Sequence, residues 1–156
     1  MMPRARRTAF VVAMATAGLL LSSPAEAAPG CTVSTTGVSF GSYDVFGASS
    51  TDSTGSVTYN CSGGARNISI TLSKGVSTTF SPRTMTSGSN TLSYNLYTDA
   101  ARSVIWGDGT SGTQTYTDAN PPNNRNIVVT IYGRIPAGQD VAAGSYSDTV
   151  TAIINF

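Results

Sequence analysis

Six stretches of this chain alternate apolar and polar residues with a period of two, and no long helical periodicity competes with them. Val38 and Phe40 make the first pair. Val57, Tyr59 and Cys61 follow, then Ile68, Ile70 and Leu72, then Leu92, Tyr94 and Leu96. Ile127, Val129 and Ile131 share one face, with Val128, Thr130 and Tyr132 on the other. Tyr146, Asp148, Val150, Ala152, Ile154 and Phe156 run to the last residue. Side chains on a strand point alternately to opposite faces, so this spacing predicts strands that each bury one face. Their Val and Thr content suits a pleated surface.

Between these stretches lie segments rich in Gly, Asn, Asp, Ser and Pro: 47–55, 62–67, 75–90, 107–112 and 118–126. Such residues favour turns for specific backbone reasons. A short helical turn is expected near Asp99 to Ser103. About six strands punctuated in this way predict one antiparallel β-sandwich. The final strand is expected to reach Phe156, which leaves nothing to return as a further strand. An open edge is a hazard for unwanted pairing, and it is also where a partner strand can add.

The first 27 residues read differently. Arg4, Arg6 and Arg7 precede an uncharged, mostly apolar run from Ala9 to Leu21, and Ala25-Glu26-Ala27 follows it. Basic start, apolar middle and small-residue end form the pattern of a secretory signal peptide. Cleavage is expected after Ala27, leaving 28–156 as one domain. The apolar run is short for a bilayer span.

That expected mature region has no Glu, seven Asp, and Lys74 as its only lysine, for a net charge of −1. The whole chain has no histidine, and 11% of its residues are charged. Nothing here supplies the basic field that holds a nucleic-acid backbone. No imidazole is available as a general base or metal ligand. Cys31 and Cys61 are the only two cysteines. In an exported chain an even pair reads as one structural disulfide, worth roughly 3 kcal/mol for a loop of about 30 residues.

Motifs that carry chemistry elsewhere are weak here. No two Asp residues are spaced as a close pair. Trp106-Gly107-Asp108-Gly109 looks like part of a calcium loop but lacks its regularly spaced acidic ligands, so it reads as a tight turn. No catalytic, cofactor or metal site is expected. Arg83, Arg102, Arg125 and Arg134 are too scattered in sequence to suggest one. Trp106 reads as a packing residue.

The order of motifs is more informative than any one of them. Cys31-Thr32-Val33 is followed by Phe40-Gly41-Ser42-Tyr43-Asp44, Val57-Thr58-Tyr59-Asn60-Cys61 and Ile68-Ser69-Ile70-Thr71-Leu72-Ser73. Arg83-Thr84-Met85, Leu92-Ser93-Tyr94-Asn95-Leu96-Tyr97 and Trp106-Gly107-Asp108-Gly109 come next, then Tyr132-Gly133-Arg134-Ile135 and Gly144-Ser145-Tyr146-Ser147-Asp148-Thr149-Val150. This set resembles the spore coat protein U domain family, which includes secreted subunits of archaic chaperone–usher pili. The resemblance covers essentially all of 28–156.

The resemblance implies an incomplete immunoglobulin-like sandwich that lacks its final strand. It implies a periplasmic chaperone that lends a strand, an outer-membrane usher, and other pilus subunits as partners. It makes Cys31–Cys61 a bridge between the first two strands. It also implies a groove lined by Tyr146, Val150, Ala152, Ile154 and Phe156, with the carboxylate of Phe156 meeting basic chaperone residues. The expected route is export through the periplasm to the cell surface. One departure stands out. Only Ala28-Pro29-Gly30 separate the expected cleavage site from Cys31, too few to act as a donor strand. The expectation is a subunit that accepts a strand and does not give one, at a fibre end.

A free-standing coat protein is the main alternative and explains the missing donor more simply. A carbohydrate- or surface-binding module would need exposed aromatics, with Trp106 and Tyr116 the best pair. A hydrolase would need two Asp carboxyls converging in a cleft.

Overall fold

The computed structural model describes residues 28–156; the expected signal peptide lies outside the described residues. Eight strands are present among them. They are β1 (Gly30–Thr36), β2 (Thr51–Ser62), β3 (Ile68–Leu72), β4 (Arg83–Ser87), β5 (Asn90–Tyr97), β6 (Tyr116–Asp118), β7 (Asn126–Ile135) and β8 (Ala152–Asn155). One sheet has the order β1-β2-β7-β5-β4 and the other β6-β3-β8, with every strand pair antiparallel. The chain is an antiparallel β-sandwich.

The alternation seen in the sequence is the alternation of burial. Val57, Tyr59 and Cys61 of β2 face inward, as do Ile68, Ile70 and Leu72 of β3 and Leu92, Tyr94 and Leu96 of β5. Ile131 and Ile135 of β7 join them, while Val128 on the opposite face is exposed. These side chains form one continuous core with Met85 and Trp106. Cys31 and Cys61 are opposite each other in the β1–β2 register and are joined by a disulfide.

Three segments depart from the sequence reading. Thr51–Gly55, expected as turn, opens β2 and pairs with β7. Gly55 is required there: a Cβ would stand 2.6 Å from the carbonyl oxygen of Thr36, where the chain leaving β1 crosses over it. Arg83–Ser87, also expected as turn, forms β4 against β5. Its inward positions are Arg83 and Met85, and a charged residue in a core slot hides the pattern. Near Asp99 there is a tight turn instead of a helix. The Asp99 carboxylate accepts from the amides of Ser103 and Val104 and from the Ser103 hydroxyl, which closes the chain on itself. Those bonds hold the Asp99 carboxyl below its ordinary range, the Val104 amide most of all.

Two alternating segments form no ladder of their own. Val38 and Phe40 lie in the strandless stretch between β1 and β2. Of the expected strand from Tyr146 to Phe156, only Ala152–Asn155 pairs, with β3. Upstream, Ser147 makes an isolated bridge to Thr86.

Candidate functional site

The two strandless segments face each other across a cleft of about 1260 Å³. One wall is residues 35–46. The other is residues 141–150, continued by Ala152. The floor is core: Leu72, Met85, Leu92, Tyr94, Leu96 and Ile131 are among the residues that line it. These floor side chains are themselves buried; the half-buried hydrophobics of the groove, such as Val38, Phe40, Tyr146 and Val150, lie on walls that carry few ladder bonds.

Each wall is anchored from behind. Val38 and Phe40 rest against the backbone of β7 at Gly133, where a Cβ would stand 2.7 Å from Val38 Cγ1 and 2.8 Å from Phe40 Cζ. Phe40 packs edge-on against Tyr94, with ring centroids 6.0 Å apart. The Ser53 hydroxyl donates to the carbonyl of Ser39 at 2.5 Å. Further along, the Tyr43 hydroxyl donates to the carbonyl of Pro136 at 3.0 Å and accepts from the amide of Gln139 at 2.9 Å. Gln139 in turn exchanges two bonds with the backbone of Ser93 on β5. This clasp ties the first wall to β5 through the loop that leads into the second.

The second wall is pinned by Asp148. Its carboxylate accepts from the Tyr94 hydroxyl at 2.6 Å and from the amide of Val76 at 2.8 Å. Burial, and after it the bond to Asp148, pushes the Tyr94 phenol well up from its ordinary value. Thr86 and Ser147 exchange backbone bonds at 2.9 and 3.1 Å. These ties, rather than a regular ladder, hold residues 146–150 in place. Asp44 and Asp148 are the charged residues of the lining; no lysine or arginine takes part among the described residues.

The side chains expected at this site fall into two groups. Tyr146, Val150 and Ala152 line the groove. Ile154 is partly buried against the core from β8, and Phe156 is 56% exposed beyond it. Neither belongs to the lining. The opposite wall, 35–46, was not visible as a wall in the sequence. Its Val38–Phe40 alternation was the available signal.

Arg83 is the buried charge of the fold. Its guanidinium donates to the carbonyl of Ser73 from Nε at 3.0 Å and Nη2 at 2.9 Å, to Trp106 O at 2.7 Å, and to Asn95 Oδ1 at 2.8 Å. Burial pulls its pKa down, and no carboxylate is hydrogen-bonded to it to offset that among the described residues. Arg102 and Arg134, far apart in sequence, meet at Asp52. Arg134 grips both carboxylate oxygens at 2.7 and 2.8 Å, and Arg102 approaches to 3.3 Å. Their spacing in the chain does not foretell that these two converge.

Trp106 is fully buried and donates its indole N–H to the carbonyl of Ile70 at 2.9 Å. It therefore cannot form the exposed aromatic pair with Tyr116 that a binding module would need. The Asp108 turn is self-contained: its carboxylate accepts from the Thr110 hydroxyl at 2.6 Å and the Thr110 amide at 2.9 Å. No cluster of three or more metal-ligating side chains occurs among the described residues.

The Spore Coat Protein U domain model matches residues 15–153. The chain belongs to that family. It is a structural protein and not an enzyme. "Protein U" of Myxococcus xanthus is 34% identical over 181 residues, spanning 96% of this chain and 98% of that protein. Among solved structures, a chain of the CsuC-CsuE chaperone-tip adhesion subunit pre-assembly complex aligns with a TM-score of 0.60. That complex comes from the archaic chaperone-usher Csu pili of Acinetobacter baumannii. The alignment is 21% identical and covers 83% of this chain and 40% of that one, so this chain spans about two fifths of its length. The likeness is one of fold, and the fold is pilin-like.

Proposed function

We propose that this protein is a secreted structural subunit of a chaperone–usher surface fibre and that its groove accepts a donor strand from a periplasmic chaperone or a neighbouring subunit. One observation carries the proposal: an open cleft floored by core residues such as Leu92, Tyr94 and Ile131 runs between two walls that pair with no strand along most of their length. A strand laid there would cover the half-buried wall side chains Val38, Phe40, Tyr146 and Val150, and its backbone would hydrogen-bond to the walls. Tyr146, Val150 and Ala152 would touch the incoming strand; Ile154 and Phe156 would extend the chaperone's grip along β8. The usher and the other pilus subunits are the remaining partners, and the route runs through the periplasm to the cell surface. Gly30 already pairs with Ser62 in β1. With cleavage after Ala27, the proposal puts the subunit at a fibre end, where accepting a strand is enough.

The test is periplasmic co-expression with the chaperone encoded in the same genome, followed by pull-down and a urea melt. A one-to-one complex, released by a donor-strand peptide, is expected. A soluble monomer with one cooperative transition and no affinity for chaperone or peptide overturns the proposal. That second outcome would favour a free-standing coat protein, a reading supported by the match to the Spore Coat Protein U domain.

A further inference from the structure

The groove carries charge of one sign. Asp44 and Asp148 are in its lining, and the lysines and arginines of the described residues all lie elsewhere. The two carboxylates differ in what they are free to do. Asp148 is engaged within the fold, accepting from the Tyr94 hydroxyl and from the amides of Val76 and Thr149. Asp44 is exposed on the first wall, where its Oδ1 accepts from the Phe46 amide. Both ion pairs among the described residues are made by Asp52, so Asp44 has no cation of its own. The placement of cations along the chain adds a second observation. Within 28–156 no lysine or arginine precedes Arg66 and none follows Arg134. The two ends of the described chain therefore carry acids alone: Asp44 and Asp52 in 28–65, Asp140 and Asp148 in 135–156. These ends are what a second copy could lend without opening its own core. Either would bring further carboxylates, or no charge, to a groove that already holds one unpaired.

We infer that the groove takes its strand from the periplasmic chaperone and not from a second copy of this chain, with a lysine or arginine of that strand paired to Asp44. The inference rests on the strand-accepting reading and names the charge and the source of the occupant. The cation has to come from a different protein, and on the proposed route the chaperone is the first such protein to reach the groove. An ion pair in open solvent is weak and screened by salt. Its larger effect is on the choice of partner: a cation opposite Asp44 is favoured and a carboxylate there is disfavoured, which keeps copies of this chain from filling one another. Asp44→Asn isolates the charge. The amide keeps an oxygen for the Phe46 N–H, so the turn and the free fold should survive.

Two measurements test it. The first is the affinity of the parent and of Asp44→Asn for the chaperone encoded in the same genome, at about 0.05 and 0.5 M salt. Asp44→Asn is expected to bind about fivefold more weakly at low salt, with the difference closing at high salt. The second uses capped peptides of alternating Val and Thr, about ten residues long, with one Lys or one Glu at either end. The parent is expected to prefer a Lys peptide over its Glu counterpart, and Asp44→Asn to lose that preference. Urea midpoints of the two free proteins are expected to coincide. If chaperone and peptides bind both proteins equally at both salts, the charge pairing is overturned and the groove reading stands. If the peptides show the preference but chaperone affinity ignores Asp44, the chaperone is overturned as the source. Peptides copying 28–37 or 146–156 that bind as tightly as the Lys peptide would overturn the exclusion of a second copy. If neither the chaperone nor any peptide binds, strand acceptance itself falls.

Discussion

The hydroxyl of Tyr94 donates to the carboxylate of Asp148 at 2.6 Å, joining the floor of the groove to one of its walls across 54 residues of chain. Tyr94 belongs to β5 of the five-stranded sheet, while Asp148 leads toward β8 of the other. The same carboxylate holds the amide of Val76. One side chain thus fixes the wall both to the core and to the loop after β3.

Removing the hydroxyl with Tyr94→Phe should cost about 1–2 kcal/mol, since a buried, charge-assisted bond is lost and Asp148 keeps fewer donors. The pH dependence reports how firmly the buried site keeps the phenol neutral. Burial raises the phenol's folded pKa above its unfolded value of about 10. Its contribution is therefore complete below about pH 10 and is lost as pH rises toward the folded value. Tyr59 is raised in the same direction, mainly by burial, but is present in both proteins. Urea midpoints measured from pH 8 to 11 should fall more steeply for the parent than for Tyr94→Phe. Parallel curves would show that the site does not hold the Tyr94 phenol neutral.

Arg83 offers a sharper test of the core. Its four donated bonds satisfy two carbonyl groups and the Asn95 side chain, and its ring neighbour is Phe80, 5.2 Å away. Arg83→Ala leaves those acceptors unpaired and opens a cavity, and the expected loss is about 3–5 kcal/mol. Arg83→Lys keeps the charge but not the planar fork, and should recover only part of that loss. Chemical denaturation of the two variants checks the order. Equal stability of Arg83→Lys and the parent would mean that charge alone suffices.

Asp52 makes the acid-side prediction. The bond from Arg134 is the main reason its carboxyl is held below its ordinary value. A depressed folded pKa means stability that is present above about pH 4 and lost as pH falls through the folded value. The cluster is partly exposed, so Asp52→Asn should cost only about 0.5–1 kcal/mol at neutral pH. Thermal midpoints between pH 2 and 6 should decline less for the variant than for the parent. High salt should narrow the difference.

What was legible in the sequence follows from what made it legible. Ile68, Ile70 and Leu72 show a period of two because the strand has one dry face, and the same holds for Val57, Tyr59 and Cys61. Alternation reports a buried face, not a ladder partner. Val38 and Phe40 alternate because they cover Gly133 and Tyr94, and Val150 and Ala152 because they border the groove. Partnering depends on strands distant in the chain, so neither segment revealed that it would stand alone as a wall. β4 was missed because Arg83 occupies an inward slot, and the Asp52–Arg102–Arg134 cluster because 82 residues separate Asp52 from Arg134.

Gly133 links that reading to a mutation. It sits within β7 beneath Val38 and Phe40, and the added methyl of Gly133→Ala would press on both. Overpacking of this kind costs about 1–3 kcal/mol. The strain should fall on the 35–46 wall, because β7 is paired on both sides with β2 and β5. Donor-peptide affinity should therefore drop further than the urea midpoint alone accounts for. Val38→Ala vacates part of the space, so the double variant should be more stable than the two single losses added together. A coupling above about 0.5 kcal/mol in that cycle would establish that the wall is seated on Gly133. Simple additivity would mean that the methyl is absorbed elsewhere and that the wall position does not depend on this glycine.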